Sequence, residues 1–127
     1  MLITMESGKS IETVCALMEP TVQKHKFGVL SVHNLRQTMA NKGVPFAREC
    51  FIFEVCNPHQ AKKVLEANME VSTALPCRVA VYQEGNKVKL STIKPTAMLA
   101  MYQAPELESV AKEVEQAITE IMHEVAE

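Results

Sequence analysis

The stretch that most constrains the fold lies near the C-terminus. Leu107, Val110, Ala111, Val114, Ile118, Ile121, Met122 and Val125 recur at three- and four-residue steps, forming one continuous apolar stripe. Lys112, Glu113, Glu115, Gln116 and Glu120 occupy the opposite side. Pro105 suits the first helical position, and Glu106 and Glu108 suit the positive end of the helix dipole. An amphipathic helix this long must bury its stripe against something. A sheet face is the expected cover, and a coiled-coil partner helix is the alternative.

The upstream chain supplies strands for that purpose. Met1 to Met5 reads as a short opening strand. Phe27 to His33 is rich in β-formers. In Ala47 to Val55, the residues Phe51, Phe53 and Val55 share one face, while Cys50, Ile52 and Glu54 share the other. Cys77 to Gln83 alternates in the same way, and Gly85-Asn86 is a two-residue hairpin loop into a return strand, Lys87 to Ile93.

Helices fall between them. Ser10 caps one running to about Lys24, with Ile11, Val14, Cys15, Met18 and Val22 on its apolar side. Cys15 thus reads as a packed core thiol. Asn34 caps Leu35 to Lys42, which Gly43 ends. Further helices run from Pro58 to about Met69 and from Pro95 through Tyr102. The summed order is β-α-β-α-β-α-β-β-α-α. It predicts one α+β domain over residues 1–127, a mostly antiparallel sheet with helices packed on one face.

Charge and composition narrow the function. A formal net charge of -2 gives no strong field for polyanions, and 5% aromatic residues without Trp make a poor base-stacking platform. No nucleic-acid partner is expected. No apolar run is long enough to cross a bilayer, and the N-terminus lacks a signal-peptide pattern. A cytoplasmic location without membrane attachment is the expectation. Cys15, Cys50, Cys56 and Cys77 are widely spaced, with no C-x-x-C pair, so free thiols or ligands are expected in place of a disulfide framework.

The chemistry concentrates in Glu54-Val55-Cys56-Asn57-Pro58-His59, where a strand hands over to a helix. Asn57 is a strong N-cap residue and Pro58 fits the first helical position. Cys56 therefore precedes a helix N-terminus, where free N–H groups and the dipole favour a thiolate.

Several short segments together resemble a known family, "domain of unknown function 302". They are Phe27-Gly28-Val29-Leu30, Cys56-Asn57-Pro58, Leu75-Pro76-Cys77 before an alternating strand, and Pro95 with Ala97-Met98, followed by the closing helix. The resemblance implies a fold similar to that of the TATA-box-binding protein, usually as a homodimer. It implies no DNA binding and brings no established activity.

The site must then be argued from its residues. Cys56 leaves one strand and Cys77 enters another, and antiparallel neighbours place such ends side by side. A ligand pocket is expected around Cys56, Asn57, His59, Cys77 and Met98, with Met101 a further thioether. Cys56, Cys77 and His59 are the candidate metal ligands, suited to Zn, Cu(I) or haem iron more than to Mg or Ca. The first reading is a protein that binds a small ligand, a soft metal or a sulfur species. The second is an enzyme with Cys56 as nucleophile and Glu54 or His59 as base. The third is a dimeric interaction module whose cysteines only pack. No cofactor is identified. Glu54 otherwise reads as a solvated edge carboxylate, His25 and His123 as surface residues near helix ends, and His33 as a residue without an identifiable partner.

Overall fold

Five alternating stretches pair into one sheet in the computed structural model, which covers residues 1–127. They are β1 (Leu2–Ser7), β2 (Gly28–Asn34), β3 (Cys50–Cys56), β4 (Cys77–Glu84) and β5 (Lys87–Ile93). The strand order is β1-β5-β4-β3-β2, and every neighbouring pair is antiparallel. The α+β class and the antiparallel sheet therefore agree with the periodicity.

The helices are α1 (Ile11–Lys24), α2 (Leu35–Asn41), α3 (Pro58–Ala67), α4 (Pro95–Leu99) and α5 (Leu107–Ala126), with 3-10 turns at Met69–Ala74 and Ala100–Tyr102. Ser10 caps α1 by accepting from the Thr13 N–H at 3.2 Å, and Asn34 caps α2 by accepting from the Gln37 N–H at 3.1 Å. Pro20 lies inside α1 at an exposed position, so the helix runs on with one backbone donor missing. Gly85 takes φ 62 in the β4–β5 hairpin, a conformation that an L side chain rarely adopts.

One face of the sheet meets the stripes of α1 and α5. Val79, Val81, Leu90, Phe53 and Val55 from the strands pack in one core with Val14, Met18 and Val22 of α1 and Ile118, Ile121 and Met122 of α5. The sheet is thus the cover that the C-terminal stripe demanded. A smaller cluster, Val64, Val71, Leu99, Leu107 and Ala111, joins α3, α4 and the start of α5 beyond the strand ends. The other sheet face carries Thr4, Ser91, Tyr82, Ala80, Ile52 and Cys50. Thr4 and Tyr82 both share hydrogen bonds with Ser91 across three strands, at 3.0 and 3.1 Å.

Some boundaries move for local reasons. Helix α5 begins at Leu107, two residues after Pro105, because the Leu107 and Glu108 N–H groups bond the Ala104 and Pro105 carbonyls in a preceding turn. Glu106 occupies the cap position without a side-chain cap bond, so only Glu108 stands in the first turn. Cys15 is half-buried beside the core, with its thiol pushed up to about 11 mainly by burial.

A bulge in β2 shifts the register between Val29 and Ser31, leaving Leu30 outside the ladder and 63% exposed. Ser31 then faces Glu54 and His33 faces Ile52 across the ladder, so His33 shares a sheet face with Glu54. The bulge gives His33 the partner that sequence parity did not reveal. Its Nε2 lies 3.3 Å from Glu54 Oε1. Glu54 in turn sits on an internal strand, not an edge, with Arg78 Nε 3.5 Å from its second oxygen.

Candidate functional site

The β3–β4 ladder sets Val55 opposite Cys77 and Glu54 opposite Arg78. Cys56 therefore leaves β3 beside the point where Cys77 enters β4. Pro58 occupies the start of α3, and Asn57 Oδ1 accepts from the His59 and Gln60 N–H groups at 3.0 and 3.2 Å. This fixed turn swings α3 over the two strand ends. Helix α4 closes the opposite side with Pro95, Met98 and Leu99, and Val110 and Val114 of α5 close the back.

The slot is small and mostly apolar. Its volume is about 40 Å³, enough for one water-sized guest. Cys56, Asn57, Cys77 and Met98 all line it. Four of the five expected ligand-site residues are thus brought together.

His59 is not among them: it is exposed in the first turn of α3 and lines no part of the slot. Nor does any group of three or more His, Cys, Asp or Glu side chains stand where it could hold a metal ion. The expected set Cys56, Cys77 and His59 is therefore not assembled. Met101 is 69% exposed on the turn beyond α4 and also lies away from the slot.

The electrostatics correct the expectation of a thiolate. Burial pushes the Cys56 thiol up, and burial followed by the proximity of Cys56 pushes Cys77 up to about 11. Two of the free N–H groups that would favour an anion are already taken by Asn57, and the apolar walls penalise charge. Both residues are therefore thiols at neutral pH. Cys50 lies on the other sheet face, opposite Tyr82, and its thiol is raised by burial against the lowering effect of Arg48. The Glu54 carboxylate, engaged by His33 and Arg78, makes no hydrogen bond to Cys56.

Sequence reasoning missed Gln60. Its Nε2 donates to Glu113 Oε2 at 3.3 Å, which orients the amide, and its Oε1 is buried with no partner. The same side chain lines the slot. One signal was present: Gln60 precedes Val64 by four residues, which puts a polar group on the inward stripe of α3.

A much larger groove of about 640 Å³ runs between the end of α4 and the start of α5. Leu99, Leu107 and Ala111 line it, and Glu108 and Lys112 form an ion pair of 3.1 Å along its side. It contains no cysteine or methionine, so the smaller slot is the candidate site.

The family described as "Domain of unknown function DUF302" matches residues 3–125. The chain belongs to this family. A solved structure described as an uncharacterized conserved protein DUF302 from Bacillus stearothermophilus is 28% identical to it. The match covers 99% of this chain and 98% of that one, with a TM-score of 0.92. No curated protein matches the chain. The DUF302 fold accordingly spans the whole molecule, with the slot at one end of its sheet. No helix of this DUF302 chain is long and apolar enough to cross a membrane.

Proposed function

We propose that this DUF302 protein binds a single soft metal ion, Cu(I), in the slot between β3, β4, α3 and α4. The observation that carries the reading is that three sulfur-bearing residues, Cys56, Cys77 and Met98, line one apolar slot of about 40 Å³. Thiolate and thioether donors select Cu(I) over the hard cations, and the volume suits an ion more than an organic molecule. The raised thiols do not oppose this, because a coordinating thiol gives up its proton to the metal. Uptake then releases protons and strengthens as the pH rises. Asn57 serves by fixing the turn that presents Cys56. A reducing compartment, the cytoplasm, suits both free thiols and Cu(I).

The same slot is a poor place for a nucleophile. Cys56 is held protonated and hydrogen-bonds to no base, so the reading is of a carrier or sensor and not of a cysteine-dependent enzyme. Anaerobic titration of reduced protein with Cu(I) against bicinchoninate tests it. One ion per chain is expected, with affinity lost in Cys56→Ser and Cys77→Ser and reduced about 10- to 100-fold in Met98→Leu. Failure to retain Cu(I) against the chelator overturns the reading.

A second reading concerns assembly. Ile52, Ala80 and Tyr82 are half-buried on the sheet face that α1 and α5 leave open. This favours a homodimer packed through that face, in keeping with the TATA-box-binding-protein-like dimer that the family resemblance implies. Light scattering over a concentration series tests it, with Ile52→Asp expected to leave a monomer. A wild-type protein that is monomeric throughout removes it. With a net charge of -2, no nucleic-acid partner forms part of the proposal.

A further inference from the structure

We infer that the slot is loaded from the outer side of α3, through Met69 and then Cys56, by an incoming Cu(I) thiolate complex; this rests on the Cu(I) reading above. Cys56 lines two depressions. One is the inner slot shared with Cys77 and Met98, and the other is a shallow, open depression on the outside of α3. The outer depression is lined by Pro58, Lys62, Leu65, Glu66 and Met69, together with Cys56 and Ala61. Cys77 and Met98 do not line it, so Cys56 is the one sulfur-bearing residue common to both.

Helical spacing explains the division. Pro58, Lys62 and Leu65 recur at three- and four-residue steps along one ridge of α3, while Gln60 and Val64 face the slot. Met69 lies beyond the helix end, past the extended Asn68, at the start of the 3-10 turn; it lines the same depression and is 70% exposed. An exposed thioether contributes little to packing but is a neutral, soft ligand that needs no deprotonation. Lys62 and Glu66 both line the depression, so their opposite charges offset beside the route.

The exchange balances without any redox step. The Met69 sulfur first adds to the copper of the incoming complex. The Cys56 sulfur then forms its bond to copper as the bond to the donor sulfur breaks. The Cys56 proton passes to the departing thiolate, so Cys56–SH and Cu–S–R become Cys56–S–Cu and R–SH. The Cys77 thiol then binds copper in the same way, its proton passing to the second thiolate of the incoming complex, which leaves as a second R–SH. The copper–Met69 bond breaks, and Met98 completes the shell from within. Copper remains Cu(I) throughout.

Mixing reduced protein with a Cu(I)–glutathione complex, and trapping the copper not yet transferred with excess bicinchoninate at timed intervals, separates route from affinity. Met69→Leu is expected to slow transfer about tenfold, the scale of one lost ligand contact, with the equilibrium affinity within about twofold of wild type. Met98→Leu, by contrast, is expected to lose affinity. Transfer by Met69→Leu at the wild-type rate overturns the route. A loss of affinity in Met69→Leu as large as that of Met98→Leu also overturns it, since Met69 would then be a ligand of the bound ion. If the wild-type protein takes no copper, the Cu(I) reading itself falls.

Discussion

Cys77 lies one step across the β3–β4 ladder from Cys56, because its register partner is Val55. The offset puts two cysteines at one end of the sheet, both lining the same apolar slot, and lets the charge of Cys56 oppose ionisation of Cys77. Cys77 carries the larger effect, being the more deeply enclosed. A single ion bound to both removes this opposition, since it replaces two protons at once.

Alkaline pH should destabilise the protein through Cys77. Its folded value of about 11 lies above the ordinary 9.0, so the unfolded chain loses the proton first as pH rises. The contribution is fully present below pH 9 and is lost between pH 9 and pH 11. Two pKa units correspond to at most about 2.7 kcal/mol. Urea unfolding across this range should show the decline, and Cys77→Ala should make it shallower without abolishing it, because Cys15 is also raised to about 11. A slope unchanged in Cys77→Ala would contradict the assignment.

Thiol chemistry should follow the same order. At neutral pH, iodoacetamide should modify Cys77 most slowly of the slot pair, and Cys56 more slowly than a free cysteine, because burial holds both protonated. Mass-spectrometric mapping after timed alkylation reads this directly. Rapid modification of Cys56 at neutral pH would restore the thiolate that its helix position first suggested.

The sequence made most of the architecture legible because periodicity reports burial. The α5 stripe, the alternation in β3, β4 and β5, and the Gly85-Asn86 turn each follow from one local rule, and the structure places them accordingly. What stayed hidden depends on pairs distant in sequence. The β2 bulge that turns His33 toward Glu54 arises from register, not from composition. That Cys56 and Cys77 lie near one another was readable from strand ends alone. The state of those thiols was not, because helix-end electrostatics predicts a thiolate while enclosure by α3 and α4 predicts a thiol, and enclosure prevails. Gln60 escaped notice because a single polar residue on a helical stripe resembles ordinary sequence variation until its burial is known.

Gln60→Leu should stabilise the protein in the absence of metal. The substitution removes a buried acceptor without a partner, an arrangement that costs about 1–3 kcal/mol, and replaces it with an apolar group on an apolar wall. The bond lost to Glu113 is exposed and contributes little. Urea unfolding should therefore show a higher midpoint with an unchanged slope. A lower midpoint would mean that a water already satisfies the Gln60 oxygen within the slot.

Glu115 couples the core helix to the helix that carries Met98. Helix α4 has no side-chain cap of its own at Lys94. Glu115 of α5 fills that role from outside, accepting from the Thr96 hydroxyl at 2.6 Å and the Thr96 N–H at 3.1 Å. The hydroxyl bond is the main reason its carboxyl is held below the ordinary 4.5. A depressed folded value stabilises the native state above the unfolded value and loses that contribution as pH falls through the folded one. Glu115→Ala should cost about 1 kcal/mol at neutral pH, the typical scale of a lost cap, and the difference from wild type should close in acid. Because α4 positions Met98, the same variant should also weaken Cu(I) retention at neutral pH while Cys56 and Cys77 remain in place. Equal copper affinity in the two proteins, despite the loss of stability, would show that α4 holds Met98 without the Glu115 anchor.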